Sequence, residues 1–184
     1  RLLDMVDLVT IREPLSLDVL KDIKCNPKYL KIVIDDAFYI KSLSSRESFN
    51  LLLSEGIDLD EIRKKNKLIV AVNVRAWWKM DSQNDELEEF LKYMVHNLIG
   101  GGRYFLLFVP TAFSQHSGWK DVESAKEFVS HEVNQNNFFI LTKSYTWSEI
   151  KGILGLVDAA IGTSFHFNVF SISNGNPLRG IQHQ

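Results

Sequence analysis

Three observations predict an α/β fold, with a parallel sheet and helices on both faces. Short β-rich apolar runs alternate with segments of helical period, the pattern of strands joined by crossover helices. The clearest run, Leu68–Val74, is apolar except for Asn73, as a strand covered on both faces has to be. The 184 residues, 45% of them hydrophobic, suffice for one sizeable core and a small appendage.

The elements follow in order. Asp7–Ile11 reads as a first strand, and Pro14–Lys24 as a helix with proline in its first turn, where the missing amide costs nothing. Leu30–Ile34 is a second strand, running straight into Asp35-Asp36-Ala37-Phe38. Ser44 and Glu47 have capping-box spacing and open a helix to about Ser54, which Gly56 ends. After the Leu68–Val74 strand, Asp85–Ile99 is strongly periodic, with Leu87, Phe90, Leu91, Met94, Val95 and Leu98 expected on one buried face. Gly100-Gly101-Gly102 stops it, and Tyr104–Val109 is a strand cut off by Pro110. A polar loop, Thr111–Gly118, leads to a helix over Asp121–Val133, then a strand over Phe138–Leu141. Thr146 and Glu149 form a second capping box, opening a helix to Leu156. A very short strand, Ala159–Ile161, precedes a helix over Ser164–Ser173, closed by Asn174-Gly175, and Leu178–Ile181 is the last strand. Residues 1–60 are expected to be a first βαβ part or a hinge from a missing N-terminal domain, and 61–184 the ligand-binding domain. Both ends read as cuts in a longer protein.

Composition narrows the classes of function. A net charge of -2 with 24% charged residues gives no electrostatic footprint for nucleic acid. No apolar run reaches the roughly 18 residues that a membrane span requires, and no signal peptide opens the chain. The single cysteine, Cys25, excludes an internal disulfide and a cysteine-rich zinc site. The five histidines show no metal-ligand spacing, so neither a metal nor a cofactor is expected. There is no GxxxxGK[ST] loop, no GxGxxG and no GxSxG elbow.

Open parallel sheets bind ligands beyond the carboxyl ends of their strands. The residues found there are Arg12-Glu13, Asp35-Asp36, Asn73 with Arg75, Pro110-Thr111, Thr142-Lys143 and Gly162-Thr163-Ser164-Phe165-His166. Any one of these is equally a strand ending in a polar loop. The Gly162–His166 junction is the most informative. Glycine admits close approach of a ligand to the backbone. The first amides of the following helix are free donors at the positive end of its dipole, suited to a phosphate or carboxylate. Thr163 and Ser164 add hydroxyls, and His166 adds a group that titrates near neutrality. The alternative is a capped core helix with a packing histidine. Arg75 offers a bidentate fork for an anion, or else an ion pair with Asp81 or Asp85. Trp77 and Trp78 can stack on a sugar or fill a core. His116, in the polar loop, can reach the cleft.

These residues resemble those of a known family. Asp158–His166 followed by Phe170–Pro177 is similar to the signature stretch near the carboxyl end of polysaccharide pyruvyl transferases. Val9–Ser16, Asp35–Phe38 and Val72–Arg75 agree with it in the same order. The resemblance implies the Rossmann-like C-terminal half of a GT-B-type two-domain enzyme, with its site in the interdomain cleft. It implies transfer of a pyruvyl group from phosphoenolpyruvate to sugar hydroxyls, forming a ketal on a cell-surface or exported polysaccharide. The family's Gly-x-Arg-x-His turn is matched at Gly162 and His166, while Ser164 stands where the family has arginine. Asp35-Asp36 stands in place of the more usual Asp-Pro. His166 and Arg75 are the expected catalytic residues. Gly162, Thr163, Ser164, Phe165, Asn73 and Arg12 are expected on the donor, and Asp35, Asp36, His116 and Trp77 on the acceptor side. The partners implied are phosphoenolpyruvate, a glycan or lipid-linked sugar, and the missing N-terminal domain. The implied location is cytoplasmic, at most peripheral to the inner face of the membrane. A nucleotide-sugar glycosyltransferase half-domain and a catalytically silent binding domain are the competing readings.

Overall fold

The computed structural model describes residues 2–75, 85–112, 121–132 and 135–181. The chain forms two compact units, which part between Tyr39 and Ile40; the sequence reading had set its border at about residue 60.

The first unit is small. Strands β1 (Leu8–Ile11) and β2 (Tyr29–Ile32) pair in parallel, joined by helix α1 (Leu15–Asp22). Its core is Val9, Ile11 and Leu20, with Leu17 and Cys25 against them. Every residue of β2 is exposed, so this unit buries only one stripe of its apolar side chains. A single turn of 3-10 helix, Asp36–Tyr39, ends it.

The second unit holds the main sheet. Helices α2 (Ser45–Ser54) and α3 (Leu59–Lys64) precede β3 (Leu68–Asn73). There follow α4 (Asp85–Gly100), β4 (Tyr104–Phe108), α5 (Asp121–Phe128), β5 (Phe138–Ile140), α6 (Trp147–Leu154), β6 (Ala159–Gly162), α7 (Phe165–Ser173) and β7 (Leu178–Gly180). The five strands lie in the order β5-β4-β3-β6-β7, and every pairing is parallel. The fold class expected from the sequence is the one observed.

Side-chain alternation along the strands divides the core between the two faces. Val70, Val72 and Val74 join Leu106 and Phe108 under Leu91, Val95 and Ile99 of α4 and Ala125 and Phe128 of α5. Removing each of these larger side chains from water contributes about 1.5–3 kcal/mol. On the other face α7 lies over β6 and β7 and against α6, which in turn meets α2. Phe167, Phe170 and Ile150 are fully buried there. The capping boxes at Ser44–Glu47 and Thr146–Glu149 are both formed.

Two expectations change. Phe90 is exposed, because the buried seam of α4 runs through Leu91, Val95 and Ile99, one position round from the stripe read in the sequence. Helix α3 was not read from the sequence; at six residues it is too short for a periodic signal, although Asp58 caps it by accepting from the amides of Asp60 and Glu61.

Candidate active site

The strand order creates one reversal point. From β3 the chain winds outward through β4 to β5, then returns to place β6 on the other side of β3 and continues to β7. The connections leave β3 and β6 in opposite directions, the point at which open parallel sheets bind ligands. Asn73 and Gly162 are register partners there. The Thr163 amide donates to the Asn73 carbonyl at 3.1 Å, and the Arg75 amide donates to Thr163 Oγ1 at 2.8 Å. The end of β3 and the mouth of α7 therefore lie side by side on one sheet edge.

A buried carboxylate organises the residues around them. Asp121, the first residue of α5, has a side chain only 1% exposed. Its Oδ2 accepts from the amides of Thr111 at 2.8 Å and Ala112 at 3.1 Å, and from Asn73 Nδ2 at 3.2 Å. Its Oδ1 accepts from Arg75 Nε at 3.2 Å. Arg75 Nη2 donates to Thr111 Oγ1 at 3.0 Å. Asn73 Nδ2 also reaches the Val109 carbonyl at 2.9 Å, while its buried Oδ1 has no hydrogen-bond partner among the described residues. An isolated carboxylate this deeply buried would be costly; several charge-assisted bonds and one guanidinium offset that cost.

Arg75 thus has the ion pair that is one of its two readings, and among the described residues its partner is Asp121; Asp81 lies outside the described residues. The Arg75 side chain as a whole keeps 24% of its surface exposed. Thr163 uses its hydroxyl on the Arg75 amide and, at 3.4 Å, the Asn73 carbonyl. Ser164 occupies the N-cap of α7 yet makes no side-chain cap. Its hydroxyl, on a residue 3% exposed, faces Thr111 Oγ1 at 3.1 Å instead. The Ser164 hydroxyl therefore does not cap α7.

Gly162 has a structural reason. A Cβ built there would collide with the Phe167 ring and the Asn168 amide, so glycine permits α7 to fold back tightly onto β6. The Phe165 side chain is exposed and lines a shallow groove with Val169, Ile172 and Leu178. His166 is exposed, with its ring 5.8 Å from that of Trp147 and 5.4 Å from that of Phe165.

In the first unit, Arg12 Nη1 and Asp35 Oδ2 form an ion pair at 2.8 Å. Asp35 Oδ1 also accepts from the Ala37 amide, and Asp36 is exposed at the start of the 3-10 turn. His116, Trp77 and Trp78 lie outside the described residues. Sequence reasoning missed Asp121, which reads only as an acid in the first turn of a helix, and Trp147, which reads only as the residue after a cap. A polar residue at the end of each of two adjacent buried strands, Asn73 and Thr111, was the available signal that a third polar group completes the set.

The profile of the family described as "Polysaccharide pyruvyl transferase" matches residues 1–184, the whole chain. The chain belongs to the polysaccharide pyruvyl transferase family. A comparison with curated proteins finds no match. Among solved structures, this pyruvyl transferase family member is similar to the α,α-trehalose 6-phosphate synthase of Burkholderia multivorans, with 11% identity and a TM-score of 0.51. The match covers 98% of this chain and 45% of that one. It is also similar to the UDP-forming trehalose-phosphate synthase of Burkholderia xenovorans in complex with glucose-6-phosphate. There the identity is 12% and the TM-score 0.48, over 96% of this chain and 46% of that one. The chain spans about half the length of these structures. The likeness is one of fold, and it is the GT-B-like fold expected. In this pyruvyl transferase family member Ser164 is buried and pairs with Thr111. Among the described residues, no helix is long and apolar enough to cross a membrane.

Proposed function

We propose that this chain is the donor-binding half of a polysaccharide pyruvyl transferase, and that its donor is phosphoenolpyruvate. The observation that supports this best is the Arg75 guanidinium, held by Asp121 beside the amino-terminal end of α7 at the reversal point of the sheet. A small dianion with a second acidic group fits two adjacent positive elements.

The chemistry asks little more of the protein. A proton delivered to the methylene carbon turns it into a methyl group and leaves an oxocarbenium-like centre at C2. One sugar hydroxyl adds to that carbon. The C2–O bond to phosphate breaks, and a second hydroxyl of the same sugar closes the ketal. Of the two hydroxyl protons released, one balances the proton consumed and the other leaves with inorganic phosphate. Arg75 holds an anionic end of the donor, and the amides of His166 and Phe167 hold the other. His166, at an ordinary position for a proton donor or a phosphate partner, serves as the acid. Asn73 and Thr163 set the edge on which the donor rests, and Arg12 is a further donor-side residue. Acceptor contacts fall to Asp35, Asp36, His116 and Trp77 and to the domain that completes the cleft. The acceptor is a glycan or lipid-linked sugar of the cell envelope, and a cytoplasmic supply of phosphoenolpyruvate fits this role.

The test is differential. Phosphoenolpyruvate raises the melting temperature of the full-length protein and UDP does not, and Arg75→Ala and His166→Ala each lower transfer by about 100-fold or more. Stabilisation by UDP alone indicates a nucleotide-sugar glycosyltransferase. Full activity in both variants removes Arg75 and His166 from the mechanism.

A further inference from the structure

We infer that Trp147 is a further acceptor-binding residue, its indole the surface on which the sugar ring stacks beside His166; the sugar's place in the reaction rests on the function proposed above. Two crossover helices bring these residues together. Helix α6 follows β5 and α7 follows β6. In a parallel sheet both therefore begin at the carboxyl edge of the strands, the edge that carries Asn73 and Gly162. Trp147 is the first residue of α6 and His166 the second of α7. Their ring centres lie 5.8 Å apart, with the planes at 40°.

The indole is held in place yet wet. The Thr146–Glu149 capping box sets the backbone on either side of it. Its ring centre lies 5.9 Å from that of Phe170, which is fully buried. Trp147 nevertheless remains 44% exposed, a large fraction for a residue type that is highly buried on average. Phe165, 42% exposed, brings a third ring to the same imidazole at 5.4 Å. The surface around His166 is thus aromatic. A pyranose carries hydroxyls round its rim and C–H bonds on its faces. An aromatic ring takes such a face out of water and leaves the rim hydroxyls in reach of a reacting carbon. In the proposed reaction an acceptor hydroxyl adds to the carbon next to the one that His166 protonates, so the sugar must lie within a ring's width of His166. Trp147 stands at that distance, in a chain whose family takes its description from a polysaccharide.

The test uses the full-length protein with two simple sugars, methyl β-D-galactopyranoside and methyl β-D-glucopyranoside. The chain of residues 1–184 has four tryptophans, so the Trp147 indole N–H resonance is assigned by its absence in Trp147→Phe. At least one glycoside is expected to move that resonance saturably. Trp147→Leu, which keeps an apolar contact for Phe170 but removes the ring, is expected to raise the Kd of that glycoside by about fivefold or more. Trp147→Phe, which keeps an aromatic face, raises it by less than about twofold. The rise in melting temperature with phosphoenolpyruvate is the same in Trp147→Leu as in the unsubstituted chain. Loss of that rise together with glycoside binding means that the indole only holds His166 in place, and overturns the inference. An unaltered glycoside Kd in Trp147→Leu also overturns it. So does a Trp147 resonance that neither glycoside moves, a result read in the unsubstituted chain even where Trp147→Leu fails to fold. Stabilisation by phosphoenolpyruvate with no sugar at Trp147 leaves the donor standing and removes the sugar surface. A glycoside at Trp147 in a chain that phosphoenolpyruvate does not stabilise keeps the sugar surface and removes the donor.

Discussion

Gly162 shows how a residue chosen for one reason is required for another. In the sequence it marks close approach of a ligand; in the structure the space a side chain would occupy is filled by Phe167 and Asn168. Gly162→Ala is therefore expected to push α7 off β6, lowering stability by about 1–3 kcal/mol, and to weaken donor binding because the α7 amides move with the helix. Denaturant unfolding measures the first effect and calorimetric titration the second. Arg75 and Thr163 were visible in the sequence because each follows a strand. Asp121 was not, because its partners Asn73 and Arg75 are 48 and 46 residues away along the chain, and no local pattern encodes that meeting. His166 stands between these cases: a sequence resemblance singles it out, and the structure adds that its ring lies near those of Trp147 and Phe165.

At the scale of elements, local chemistry predicted well wherever it acts over a few residues. Both capping boxes form as their spacing requires. Thr146→Ala is expected to cost about 1 kcal/mol, measured by thermal unfolding. At the other box the Ser44 hydroxyl and amide hold the Glu47 carboxyl below its ordinary range. A lowered folded value stabilises above the unfolded value and is lost as pH falls through the folded one. Acidification therefore loosens the start of α2, and amide exchange at Glu47 and Ser48 would report it. The seam of α4 was misplaced by one position at Phe90, because helical period gives the width of an apolar stripe but the opposing sheet decides its centre. The strand ends were legible, whereas the strand order that gathers them was not: alternation predicts a parallel sheet without saying where the winding reverses.

For the whole molecule, the division at Tyr39 carries its own expectation. The first unit buries Val9, Ile11 and Leu20 but leaves Tyr29, Leu30 and Ile32 exposed, and chains below about 40 residues rarely fold unaided. A chain of residues 40–184 is expected to melt cooperatively by circular dichroism, and a peptide of residues 1–39 to show no regular structure; a cooperative melt in the peptide would contradict this. The proposed anion site lies in the larger unit, and the central claim is that it takes an acidic donor between Arg75 and α7. The most direct measurement is a crystal structure of the full-length protein with phosphoenolpyruvate. The account predicts phosphate or carboxylate oxygens within hydrogen-bond distance of the Arg75 guanidinium and of the amides of His166 and Phe167. Donor density elsewhere, with that place filled by side chains or solvent alone, would contradict it.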